Sequence, residues 1–516
     1  WELVGACSWA LIGFEWRDAG RPRAALDAFL ATRAGDLGLY LAAAAVFAGT
    51  GTLRFAGLGG LHGTALQVAA GGLLLAAAAK SAQLPFSPWL FRAMAGPTPA
   101  SALLHSATMV AAGAYALARL APSLAGASWL APAIAGLGLA TALAGAIVAG
   151  TQRDLKKALA ASTSAQYGLM FVAIGTGFPS AAGAHLVAHA AFKALLFLGA
   201  GIALHAAGTL DVERLGLGRA LPRAAACFWI GALALAAVPP LGAAFTKERI
   251  VASAEAAGMW MTLGVVVAGA LSAFYALRLA LLAFGPARAA NPTAGHTANR
   301  PSAAALAGPV ALAGVTLALS VLWLPGANGV VARFFGAPLP AGSGAMAIVS
   351  VAAVVLAGAT AALLWRRGHL ARLGLSERVL RWSDEWLGLL PLARVVIARP
   401  TLFAARTLAA VDDRVVDAGI RGAAAVARAL SRGTAWWGER GLDGVVRALA
   451  VAAVGLASAS RIADDRGIDP AVEGMARGIG VAGDRSRRLQ TGLAHQYYVL
   501  LAAGVLVLAA AAAIWR

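Results

Sequence analysis

Three titratable side chains stand four residues apart in one apolar stretch: His185, His189 and Lys193. In a helix each step of four advances about 6 Å and drifts about 40° round the axis. The three therefore share one stripe roughly 12 Å long. Imidazole and amine groups both give and take protons, so the stripe, bridged by water, has the makings of a proton relay. A metal site is a weak reading, because this HxxxH lacks the intervening glutamate of zinc hydrolases. A histidine alone would be read as a packed core residue; three titratable groups on one face point to proton transfer.

The lysines reinforce this. Of 42 basic residues only five are lysines, Lys80, Lys156, Lys157, Lys193 and Lys247, and 37 are arginines. The chain uses arginine as its general surface cation. Three lysines, Lys80, Lys193 and Lys247, lie within long apolar segments. A buried lysine can release its proton, whereas an arginine cannot. Titratable groups at membrane depth mark ion and proton pathways.

Those groups have to be carried by membrane helices. The 516 residues are 60% hydrophobic and 13% charged, far from the balance of a soluble protein. Apolar runs long enough to cross a hydrocarbon layer of about 30 Å recur along the chain. Period-two alternation is absent, which argues against a β-barrel. The expected class is an all-α polytopic membrane protein. The net charge of +19 is not read as a nucleic-acid footprint, because the cations sit in short loops and in one late segment. Cys7 and Cys227 have no metal-ligand spacing, and nothing in the chain is arranged to hold an iron–sulfur cluster.

Twelve spans are expected, near 1–15, 34–52, 62–84, 99–119, 127–150, 157–176, 182–207, 224–250, 259–285, 302–324, 343–365 and 495–515. One set of alternate loops carries Arg17, Arg21 and Arg23, then Arg92, then Arg153, Lys156 and Lys157, and later Arg214, Arg219, Arg223, Arg288, Arg300, Arg366 and Arg367. The opposite loops carry Arg54, Arg119 and Arg333. That asymmetry puts the basic side in the cytoplasm. Trp1 opens inside an apolar stretch with no initiating methionine, so further helices are expected to precede it.

Other charges fall within these spans: Glu2 in the first, Arg33 and Asp36 at the start of the second, Lys80 late in the third and His105 in the fourth. Lys247 and Glu248 follow Pro239 and Pro240, and Lys80 precedes Pro85 and Pro88. Either proline site alone reads as a kink. Two, each beside a lysine, resemble the discontinuous helices of transporters built from inverted repeats. A Glu2–Lys80 pair is expected to act as a switch: with the carboxylate beside it the lysine keeps its proton, and without it the desolvated amine lets go.

Residues 367–494 change character, with Arg and Asp interleaved among Ala, Val and Leu at helical spacing. They form either a cytoplasmic set of amphipathic helices or one long helix along the membrane surface. The glycines from Gly419 to Gly444 argue for breaks. Residues 495–516 read as a final transmembrane anchor, which gives three parts: a core at 1–366, the amphipathic segment at 367–494, and the anchor at 495–516.

The motifs WELVGACSWALIGF, KSAQLPFSPWLFRAMAGPTPASALLHSATMVAAGAY, QRDLKKALAASTSAQYGLMF, HLVAHAAFKALLFLGAG and PPLGAAFTKERI resemble those of the antiporter-like subunit L of bacterial NADH-quinone oxidoreductase, respiratory complex I. Mrp-type cation/proton antiporter subunits and membrane subunits of energy-converting hydrogenases and carbon-uptake complexes share the core motifs. The resemblance implies an antiporter-like inverted-repeat bundle, a lateral helix and an anchor. It implies that Glu2 is the essential glutamate, Lys80 its partner, and Arg33 and Asp36 a nearby polar pair. It implies that His105, His185, His189 and Lys193 form a central hydrophilic axis, and that Lys247 with Glu248 closes the second repeat. It further implies protons as cargo, the lipid bilayer and neighbouring antiporter-like subunits as partners, and a multi-pass place in the bacterial cytoplasmic membrane. No cofactor is implied in this chain; NADH, FMN, iron–sulfur clusters and quinone belong to partner subunits.

Overall fold

The computed structural model describes residues 1–286, 300–437, 442–488, 502–507 and 510–511. These are helical apart from turns and one isolated bridge between Asp154 and Asp211. Contacts divide the chain into two units, Trp1–Arg394 and Val395–Arg516. Contacts carry the first unit through Arg394. The reason is local: Arg278, fully buried, donates to the carbonyls of Leu370 and Ala371, and Trp386 is buried. Residues 367–394 are tied to the helical core.

The first unit opens with α1 (Glu2–Ile12), α2 (Gly20–Thr50), α3 (Gly63–Lys80), α4 (Trp89–Ala93), α5 (Thr98–Ser106) and α6 (Met109–Leu120). It continues through α7 (Leu130–Thr151), α8 (Leu155–Gly175), α9 (Pro179–Ala207), α10 (Pro222–Leu235), α11 (Gly242–Ala257) and α12 (Met259–Phe284). It closes with α13 (Ala303–Ala318), α14 (Ala327–Phe335), α15 (Gly344–Arg366), α16 (Glu377–Asp384) and α17 (Leu389–Ala393). Among the described residues of the whole chain, ten helical stretches are long and apolar enough to cross a membrane, judged by length and composition.

Small residues let these helices close up. Cβ atoms built at Gly138 on α7 and at Gly168 on α8 would each fall 2.5 Å from the other glycine's carbonyl oxygen. Only glycine permits that backbone approach, the usual device where lipid removes the hydrophobic drive between helices. α8 is the result: nearly every residue from Leu155 to Ile174 is buried, Ser162, Ser164, Gln166 and Tyr167 among them.

The stretch 224–250 is broken into α10 and α11 at Ala236–Leu241, where the prolines led a discontinuity to be expected. The stretch 99–119, expected as one span, is α5 and α6, parted at Ala107 and Thr108. Residues 20–33, read as loop, are the first turns of α2, so Arg21, Arg23 and Arg33 lie on a helix. A hydropathy threshold places the edge of a span where charges begin, but the backbone bonds of a helix do not stop there.

The breaks after α3 and α10 share one backbone design. Gln83 N donates to Ala78 O at 2.8 Å and Val238 N to Leu233 O at 3.0 Å. Both are the long capping bond of a Schellman turn. The left-handed residue is Ala82 (φ 49°) in one and Ala237 (φ 61°) in the other. Alanine there costs more than glycine. Phe86 N then returns to Gln83 O, and Leu241 N to Val238 O.

The second unit is helical through α18 (Arg399–Val411), α19 (Asp417–Trp437), α20 (Leu442–Ala463) and α21 (Asp469–Arg488). Gly419, Gly422, Gly433 and Gly444 all lie within helix, so they do not break it as expected. Gly438 and Gly441 lie outside the described residues. The irregularities are π turns instead, at Arg394–Ala398, Asp412–Val416 and Asp464–Ile468; two of them begin at Asp-Asp-Arg. A π turn admits an extra residue without ending the helix. Gly444–Ala482 also qualifies by length and composition as a crossing helix, which the amphipathic reading of 367–494 did not anticipate. Most of the expected anchor, 495–516, lies outside the described residues.

Candidate proton-transfer site

Lys80 is the last residue of α3 and is fully buried. Its Nζ donates to Asp36 Oδ2 at 3.2 Å. Trp1 Nε1 donates to Asp36 Oδ1 at 2.6 Å, and its ring lies 5.6 Å from Nζ. Glu2 does not take this place. It pairs with Arg33 and accepts from Tyr40 Oη at 2.8 Å. The expected Glu2–Lys80 pair is replaced by two: a dry pair, Lys80–Asp36, and a half-exposed one, Arg33–Glu2. The register of α1 on α2 decides this, because Arg33 and Asp36 lie three residues apart on the α2 face that both α1 and α3 approach.

His105 lies near the end of α5, fully buried between Trp89 and Phe197, with ring centroids 6.0 and 6.4 Å away. Neither of its ring nitrogens has a hydrogen-bond partner among the described residues. The helix breaks just beyond, at Ala107 and Thr108. That break frees the Ser106 carbonyl, which accepts from Tyr167 Oη at 3.2 Å and pairs with His189 Nδ1 at 3.1 Å.

The α9 stripe exists as a geometric stripe: His185, His189 and Lys193 are all fully buried, and the two imidazole centroids are 6.3 Å apart. Each side chain nevertheless bonds sideways to a different neighbour. Lys193 Nζ donates to Leu159 O at 2.9 Å and to Ser162 Oγ. His185 Nδ1 pairs with Thr246 Oγ1 at 2.8 Å, and Nε2 with Gln166 Oε1 at 3.1 Å.

Lys247 stands on α11 just past its break. Its Nζ donates to the freed carbonyl of Leu235 at 2.6 Å and to Ser272 Oγ at 2.7 Å. Ser272 in turn accepts from Gln166 Nε2 at 3.2 Å. A hydrogen-bonded line therefore runs Lys247–Ser272–Gln166–His185, all within the helical core. Glu248 is not on it; among the described residues it pairs with Arg249, at 3.6 Å. Lys247 and Glu248 both line an apolar cleft with Val265, Trp323 and Ser350, so the acid sits beside the lysine's approach and not in its network.

Sequence reasoning missed Gln166, Ser272, Tyr275 and Tyr40, and took Lys156 for a loop cation. Lys156 is buried and donates to the carbonyls of Met94 and Gly96 at 2.9 and 2.7 Å. A signal was present for some of these. Ser162 and Gln166 recur at a four-residue step inside an apolar run, which puts them on one helix face.

The chain has known relatives. The NADH:quinone oxidoreductase/Mrp antiporter transmembrane family matches residues 1–272. The chain belongs to that family. As a family member it is similar to NADH-quinone oxidoreductase subunit L of Campylobacter jejuni, 42% identical over 298 residues, covering 56% of this chain and 50% of the relative. It is similar to NAD(P)H-quinone oxidoreductase chain 5 of Synechocystis, 39% identical over 306 residues, with 55% and 45% covered. The chain thus spans half or less of the length of these curated relatives. A solved structure of the Mrp complex from Dietzia aligns with a TM-score of 0.61 and 27% identity, over 81% of this chain and 49% of that one.

Proposed function

We propose that this chain is the proton-translocating antiporter-like membrane subunit of an NADH-quinone oxidoreductase in a bacterial cytoplasmic membrane. Its carrying observation is that Lys247, Ser272, Gln166 and His185 form one buried hydrogen-bonded set, with Lys193 and the Lys80–Asp36 pair buried in the same unit. Fully buried ionisable groups are costly and are kept where charge must move. Each lysine has a built acceptor set: a carboxylate for Lys80, a carbonyl and a hydroxyl for Lys193, a freed carbonyl and a hydroxyl for Lys247. Protons would be taken up, held and released at these sites, while NADH, FMN, iron–sulfur clusters and quinone react in partner subunits. Glu2, Arg33, Glu248, His105 and His189 belong to the same pathway in this reading.

The Dietzia Mrp alignment supports a second reading, a cation/proton antiporter subunit. One experiment separates them. The full-length chain is tagged and purified gently from native membranes. Co-purifying flavin and iron–sulfur subunits with NADH-quinone reductase activity support the first reading. Small membrane subunits without redox centres support the second.

A further inference from the structure

Gln166 is the one side chain in the Lys247–His185 line with neither a titratable group nor a hydroxyl that could accept one proton while passing on another. It is fully buried and held at both ends of its carboxamide. Oε1 faces His185 Nε2 at 3.1 Å; Nε2 faces Ser272 Oγ at 3.2 Å and Tyr275 Oη at 3.0 Å. The groups around it come from three elements: His185 on α9, Lys247 on α11 through Ser272, and Tyr275 on α12.

We propose that Gln166 is a positioning residue that keeps Lys247 and His185 as two separate proton sites and selects which nitrogen of His185 carries the proton. This rests on the proton-translocating reading above.

The argument is one of donors and acceptors. An amide oxygen only accepts and an amide nitrogen only donates. With Oε1 toward His185, Nε2 of the ring must be N–H. Thr246 sets the other nitrogen. Its hydroxyl has one proton, and Ala243 O lies 3.1 Å from Oγ1. When the hydroxyl turns to Ala243, His185 Nδ1 must donate as well, and the ring is an imidazolium. When it turns to Nδ1, the ring is neutral with its proton on Nε2. Rotating the carboxamide by 180° swaps two groups of nearly equal size in the same space. The amide nitrogen then donates to a bare Nε2, the ring proton moves to Nδ1, and the amide oxygen accepts from Tyr275 or Ser272. Two rotors, one amide and one hydroxyl, therefore define three proton states of His185. A proton on Lys247 cannot hop to His185 through the amide in any of them, because the amide has no site to hold it in transit.

The test uses the complete membrane assembly carrying the full-length chain, in sealed vesicles. Protons moved per electron pair, and the pH profile of that ratio, are measured for Gln166→Glu, Gln166→Met and Thr246→Val. Gln166→Glu has nearly the same shape and supplies a transit site. It is expected to merge the two sites, lower the ratio at least twofold and displace the pH profile. Gln166→Met and Thr246→Val remove one selector each and are expected to broaden the profile. Wild-type ratios and profiles in Gln166→Glu and Thr246→Val would overturn the proposal, whether or not Gln166→Met assembles. Lys247→Met is run alongside. If that variant pumps normally, the proton-translocating reading itself fails, whatever Gln166 does.

Discussion

Lys80 Nζ and Asp36 Oδ2 lie 3.2 Å apart with side chains 0% and 1% exposed, while Glu2, in the half-exposed pair with Arg33, is 38% exposed. Two ion pairs at one helix junction thus sit in very different solvents, and they should respond to mutation very differently.

Removing one member of the dry pair leaves a buried charge alone. Lys80→Met or Asp36→Asn should each cost about 3–5 kcal/mol. The double variant should recover most of that loss, because replacing a buried pair with neutral groups is close to neutral. Glu2→Gln should cost at most about 1 kcal/mol, as for other partly exposed pairs. Thermal unfolding of the purified assembly checks all four. Equal losses at Glu2 and Asp36 would refute the distinction.

Ser272 accepts from Lys247 and from Gln166. Ser272→Ala removes an acceptor for a charged donor, a loss of about 1.5–3 kcal/mol. Proton transport in vesicles should fall by about tenfold or more, with the assembly intact on a native gel. Unchanged transport would remove Ser272 from the pathway.

Helix contact at Gly168 is backbone on backbone. A Cβ there would lie 2.5 Å from Gly138 O and 2.7 Å from Ala142 N, and neither atom can turn aside. Gly168→Ala should destabilise by about 1–3 kcal/mol. Gly136, on the face of α7 opposite Gly138 with nothing within 4 Å of its Cβ, is the control: Gly136→Ala should be silent. The comparison is made by unfolding temperature in detergent.

Outside the spans, Arg153 Nη2 donates to Glu377 Oε1 at 2.7 Å. That hydrogen bond, with the nearby charges of Arg153, Arg372 and Arg381, holds the Glu377 carboxyl below its ordinary value of 4.5. Glu213, which pairs with both Arg153 and Arg372, shares the cluster. A carboxyl with a depressed folded value stabilises above its ordinary value and loses that contribution as pH falls through the folded one. Deuterium uptake across 377–384, corrected for intrinsic exchange, should rise as pH falls from the ordinary value of 4.5 through the lowered folded one. Glu377→Gln should flatten that rise and leave uptake high at neutral pH.

The membrane class, the two helix breaks and the α9 stripe were legible in the residues themselves. Each is a one-dimensional property: apolar run length, proline position, and a four-residue step that helix geometry turns into one face. Lysine set against an arginine-rich background marked Lys80, Lys193 and Lys247 for the same reason. Which partner each lysine holds was not legible. Glu2, Asp36 and Glu248 are all carboxylates close to lysines in the folded chain or its sequence, and only the register of α1 and α3 on α2 brings Asp36 to Lys80 and leaves Glu2 to Arg33. Gln166, Ser272 and the carbonyl of Leu235 carry no charge to betray them. They gain a role only when α8, α10, α11 and α12 pack, because a neutral dipole matters in proportion to the water that has been taken away from it.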